Sequence, residues 1–169
     1  ALFVPHGAPT FAGRPAAAGA ALVRLAKSLP APRAIVIVSA HWDTAVATVG
    51  FAERPETVHD FWGFPEELYG LNYPATGCRE AAGEVVAAIQ AAGLPVQKNA
   101  ERGLDHGAWM PLLVAWPDAE IPVVQLSVQT RLGPEHHYRL GQLLAPLRDE
   151  GRQPQQLVPG TDHVRRRMA

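Results

Sequence analysis

The 169-residue sequence has a single cysteine, no excess of either charge and no long hydrophobic run. One cysteine, Cys78, excludes an intrachain disulfide framework and any multi-cysteine zinc or iron–sulfur centre. Lys plus Arg total 15 against 16 Asp plus Glu, for a net charge of -1. That balance argues against a nucleic-acid or membrane-surface partner, since such chains carry a basic excess. No stretch approaches the ~18 apolar residues that a membrane span needs, and the start ALFVPHG lacks a signal peptide's layout. The expectation is a soluble, cytoplasmic protein. Three chemical signatures are also missing: the G-x-S-x-G elbow, the phosphate-cradling P-loop and the G-x-G-x-x-G fingerprint. Hydride transfer and nucleotide chemistry therefore lack support, and nothing in the sequence sets an oligomeric state.

What is present is an alternation of apolar runs and helical patterns, on a length that suits one domain. Leu2, Phe3 and Val4 form a short apolar run ending at Pro5-His6-Gly7, expected as a buried strand entering a loop. Residues 15–28 are Ala/Leu-rich, with apolar Leu22, Leu25 and Leu29 at helical spacing and Pro near the first turn. AIVIVSA, residues 34–40, is continuous and β-branched, as expected of a central parallel strand. Residues 45–51 read as another strand, and 79–92 as a helix halted by Gly93. A short strand around 95–97, a buried strand at 121–128 and a helix over 134–150 complete the pattern. The prediction is an α/β fold, a largely parallel or mixed central sheet flanked by helices. From Arg152 the alternation breaks: RQPQQLVPGTDHVRRRMA is polar and proline-interrupted where an apolar strand is due. It reads either as a disordered basic tail or as a stretch translated out of frame, with the C-terminal part of the domain missing.

The seven histidines are placed tellingly. His6 follows the first apolar run and His41 follows AIVIVSA, with one helix between, which is the size and order of a βαβ unit. A right-handed crossover would set both imidazoles at the carboxyl edge of a parallel sheet, where open α/β sheets bind ligands. Two converging imidazoles suit Fe(II) or Zn(II) and need one further carboxylate or histidine for a facial triad, although loop histidines often only stabilise turns. His106, in GLDHGAW, is flanked by Gly103 and Gly107, which permit close backbone approach to a ligand. It reads either as an acid/base residue oriented by Asp105, or as an exposed residue at a helix entry capped by Asp105. His59 precedes Phe61, Trp62, Phe64 and Tyr69, rings able to wall an aromatic pocket or to serve as plain core. His136 and His137 open a helix and look solvent-facing, while Cys78 reads as a loop residue.

Six segments, in order, resemble the class III extradiol ring-cleavage dioxygenases, in the branch similar to DOPA 4,5-dioxygenase. They are PHGAP (5–9), IVIVSAHW (35–42), TVHDFWGFPEELYGLNYPA (57–75), GLDHGAWMPL (103–112), IPVVQLSV (121–128) and LAPLRDEG (144–151). The resemblance implies that residues 1–151 are the N-terminal portion of an extradiol catalytic domain and that 152–169 form an anomalous tail. It implies one Fe(II) or Zn(II) held by ligands that include His6 and His41, with His106 beside the substrate as a catalytic acid/base residue. It places a second catalytic histidine near His163, although the following VRRR departs from the family's His-Asn-Leu-like setting. Ala8 stands where a serine is usual. His59 is expected to bind substrate.

The implied reaction opens a small catechol-type aromatic, DOPA-like, with O2. A general base assists deprotonation of the catechol, and both oxygen atoms end in a semialdehyde. The family's remaining metal ligand lies in a C-terminal part outside these residues, which argues against full activity of the 169-residue chain alone. Two other classes remain open: a zinc-dependent hydrolase using the same histidines, and a noncatalytic remnant or interaction module.

Overall fold

Nine residues rich in β-branched side chains, Ile35–Asp43, form strand β1, and the apolar run Val123–Val128 forms β4. Between them lie β2 (Ala47–Gly50) and β3 (Val96–Asn99). The computed structural model describes residues 1–150. The sheet order is β1-β4-β2-β3. β1 runs parallel to β4, with Ile35 opposite Val123 and Val38 opposite Leu126, and β2 runs parallel to β3. β2 meets β4 antiparallel at Val49 and Leu126, so the sheet is mixed.

Helices cover both faces. On one side pack α1 (Ala16–Ser28) and α3 (His106–Ala115); on the other, α2 (Arg79–Ala91) and α4 (Gly133–Leu144), followed by the short α5 (Leu147–Glu150). The period-2 alternation of β4 divides the core between these faces. Val123 joins Trp109, Met110, Tyr73 and Leu104 on the α3 side; Val124 and Leu126 join Val85, Val86 and Ile89 on the α2 side. In α2 the buried Ala82, Val85, Val86 and Ile89 follow helical spacing. Cys78 caps that helix, its sulfur accepting from the Ala81 N–H, and Gly93 at φ +70° ends it as only glycine does cheaply. No described helix is long and apolar enough to cross a membrane.

Three expectations need correction. Leu2, Phe3 and Val4 form no strand: they make no ladder, and Leu2 and Phe3 are exposed. An apolar run supplies side chains for a strand but not the partner whose hydrogen bonds define one. β1 lies at an edge among the described residues, with Val36 and Val38 exposed at 41% and 52%, while β4 holds the interior. β4 is buried along almost its whole length. The expected helix over 134–150 is broken after Leu144, ahead of Pro146, whose ring and missing N–H disfavour continuation. The tail at 152–169 lies outside the described residues.

Candidate metal centre

His6 sits in the unpaired segment before a 3-10 turn at Pro9–Phe11, His41 near the end of β1, and His106 on the first residue of α3. Tertiary packing of α3 on β1 brings all three together. Their ring centroids stand 5.0 Å (His6–His41), 5.1 Å (His6–His106) and 4.0 Å (His41–His106) apart. One nitrogen from each lies within 4.8 Å of the others, and the Nε2 atoms of His6 and His41 face each other at 3.3 Å. Two such nitrogens cannot both carry a proton toward each other, so at least one presents a lone pair.

The partner missed by sequence reasoning is Asp60. Its Oδ1 accepts from the His106 ring at Nδ1 (2.8 Å) and from the His106 backbone N–H (2.9 Å), while its Oδ2 stands 3.7 Å from His41 Nδ1. Burial opposes ionisation of Asp60, yet the two hydrogen bonds from His106 outweigh it and hold the carboxyl below the usual carboxylate range. The available signal was an acidic residue set between His59 and Phe61 in an otherwise aromatic stretch. Burial, and then the neighbouring His106 and His41 rings, lower the His6 pKa from 6.5, which favours the neutral imidazole with its lone pair free. The Nδ1 of His6 is buried without a hydrogen-bond partner among the described residues.

Both readings of His106 need correction in part. Asp105 does cap α3, its Oδ1 accepting from Ala108 N–H at 3.1 Å, but His106 is buried and Asp60 rather than Asp105 orients its ring. The flanking glycines admit protein rather than ligand. A Cβ on Gly107 would fall on Ser39 Oγ and 2.7 Å from His41 Cδ2; one on Gly103 would strike the Glu56 carbonyl oxygen.

His59 lies nearby, its Nε2 donating to the Leu71 carbonyl at 2.9 Å and its ring edge-on to Phe61 (5.7 Å) and Trp109 (5.5 Å). Phe61 in turn meets the His106 ring edge-on at 5.6 Å, and Tyr69 and Phe64 back it, whereas Trp62 is exposed. The aromatic wall is therefore joined to the histidine cluster through Phe61. His136 and His137 are not solvent-facing but half-buried at a corner. His137 Nδ1 donates to Gly133 O, and its Nε2 accepts from Gln129 N–H at 3.0 Å. His163 lies outside the described residues.

The donor chemistry fits a divalent metal ion. Three imidazoles converge, one nitrogen of His106 is occupied by a carboxylate that leaves the other free, and charge on His6 is disfavoured by burial.

The family model described as the catalytic LigB subunit of aromatic ring-opening dioxygenase matches residues 18–160. Over 121 residues the chain is 48% identical to a 4,5-DOPA dioxygenase extradiol of Beta vulgaris, covering 71% of this chain and 45% of the relative. Over 152 residues it is 43% identical to a protein of the same name from Escherichia coli (strain K12), covering 89% of this chain and 55% of the relative. The chain thus spans about half the length of the curated relatives it matches. The crystal structure of an uncharacterized protein from Escherichia coli K12 superposes with a TM-score of 0.64 at 38% identity, over 79% of this chain and 49% of that one.

Proposed function

This chain belongs to the LigB family of aromatic ring-opening dioxygenases, in its class III extradiol, DOPA-dioxygenase-like branch, and on that premise we propose that it carries the metal-binding half of an extradiol ring-cleavage site. The observation that supports this most directly is the convergence of His6, His41 and His106 around Asp60. The substrate class is a small catechol, DOPA-like, with O2 as co-substrate. In this reading His6 and His41 hold one Fe(II) or Zn(II), and His106 works beside the substrate. The ion, when bound, supplies Lewis acidity toward the catechol oxygens and, as iron, one-electron chemistry with dioxygen.

The residues' own work follows from their hydrogen bonds. His106 keeps its Nδ1 proton on Asp60, so its other nitrogen is the one free to take a catechol proton and return it during ring opening. The imidazolium formed in between is stabilised by the Asp60 carboxylate already on its far side. Phe61, backed by Tyr69 and His59, offers an apolar face against which an aromatic ring can lie.

One observation favours a second reading: a third imidazole, His106, joins the cluster, and three histidines are a donor set of hydrolytic zinc sites. The chain loaded with Fe(II) and given a simple catechol in air separates the two. An activated ester is supplied in a parallel assay. Oxygen uptake with a yellow ring-opened product, reduced because the chain spans about half the length of its relatives, supports the dioxygenase reading, and ester turnover without oxygen uptake would overturn it. Metal content checks the platform itself: His41→Ala should abolish stoichiometric uptake, and undiminished iron in that variant would refute the ligand assignment.

A further inference from the structure

We propose that Asp60 is a two-pronged positioning residue, one carboxylate that fixes the tautomer and aim of two imidazoles at once. The inference rests on the metal-binding reading only for what those imidazoles hold; the tautomers themselves are a property of the protein alone.

Asp60 is delivered by backbone pairing rather than by a regular strand. The Val58 N–H donates to Leu104 O and the Leu104 N–H to Glu56 O, both at 2.8 Å, and Thr57 bridges Leu104 in parallel. This pairing requires Gly103, because any side chain there would meet the Glu56 carbonyl and Val58 Cγ2. The Trp109 indole then pins the segment from α3, donating to Val58 O at 2.9 Å. Two residues further on, the carboxylate meets the N-terminus of α3. There the His106 N–H has no intrahelical partner and the helix dipole favours an anion.

The two oxygens divide the labour. Oδ1 takes both His106 donors, which writes the His106 proton onto Nδ1 and leaves Nε2 as the lone-pair nitrogen. Oδ2 faces His41 Nδ1 at 3.7 Å. A lone pair on that nitrogen would point at a carboxylate, whereas an N–H would present its positive end, so the same tautomer is favoured on His41. Its Nε2 is then the lone-pair nitrogen, and that is the atom facing His6 Nε2. One side chain thus turns two rings from different elements toward a common point. His59, its neighbour in sequence, is turned away to the Leu71 carbonyl and takes no part.

The test is Asp60→Asn in the full chain, with two readouts. In metal-free protein, 15N NMR of the imidazoles reads the tautomers: His106 and His41 should both be Nδ1–H in the parent, and His106 should shift toward Nε2–H in the variant. Zinc affinity, measured by chelator competition, should fall by roughly 10–100-fold, the usual effect of losing a carboxylate behind a metal-binding histidine. His106 found as Nε2–H in the parent would overturn the proposal without any variant, which covers a variant that fails to fold. Unchanged tautomers, or a folded variant with parental zinc affinity, would overturn it equally. If the parent binds no zinc but shows the expected tautomers and their loss, the metal reading fails and the positioning role of Asp60 stands.

Discussion

At the scale of single residues, two positions control the cluster through quantities that can be measured directly. Gly107 is one. A methyl group there would collide with Ser39 Oγ and the His41 ring, so Gly107→Ala should destabilise by about 1–3 kcal/mol through overpacking and displace His41. Gly83, in α2, has nothing within reach of an added Cβ, so Gly83→Ala should instead stabilise by about 0.4–1 kcal/mol. Urea unfolding compares the pair, and zinc competition should show weakened binding only for Gly107→Ala. His6 is the other position. Burial and the neighbouring imidazoles lower its pKa from 6.5, so below that value the unfolded chain takes up the proton first. Stability of the metal-free protein should therefore fall as pH drops below about 6.5. Asp60, whose pKa is held below 3.8, adds a loss of the same sign at lower pH. Unfolding in chelator at about pH 7.5 and about pH 5.5 checks this, and His6→Gln should flatten the difference.

At the scale of elements, α3 is the unusual one. Eight of its residues are buried, including the whole run from His106 to Leu112, so water cannot satisfy its first N–H groups. Two carboxylates do so instead: Asp105 accepts from Ala108 N–H and Asp60 from His106 N–H. Asp105 is fully buried and is itself held by the Gln125 amide on β4 and by Arg102 at 3.5 Å. Removing it strips a cap and leaves the Gln125 amide without its acceptor. Asp105→Ala should therefore cost about 2–4 kcal/mol in urea unfolding. Adding Gln125→Leu should restore part of that loss, because the two side chains share one interaction. The strands show where local pattern stops informing. β1 and β4 are both β-branched and continuous, yet β4 is buried on both faces and β1 ends the described sheet with Val36 and Val38 outward. Continuity reports an extended chain; the number of neighbours is decided by packing.

At the scale of the whole molecule, the site joins pieces that are far apart in sequence: a segment before the first helix, the end of β1, a loop and the head of α3. A ligand that binds these pieces only when they are assembled stabilises the fold globally. Zinc at 100 times its Kd should raise the unfolding free energy by about 2.7 kcal/mol. His41→Ala should remove that shift, and an unfolding midpoint indifferent to zinc in the parent would speak against the site.

The sequence by itself determined the α/β class and most element positions, because these rest on periods of 2 and 3.6. It set His6 beside His41 too, but through a first strand that does not form. It also singled out GLDHGAW, the segment whose His106 joins those two histidines. Only the tertiary structure decided that His106 is buried among the other two rings, that Asp60 rather than Asp105 orients it, and that β1 lies at an edge. The reason is physical. Backbone hydrogen bonding imposes its periods locally, but which side chains converge depends on close approaches such as Gly103 to Glu56 and Gly107 to His41. Those approaches join residues 47 and 66 positions apart, and no local pattern records them.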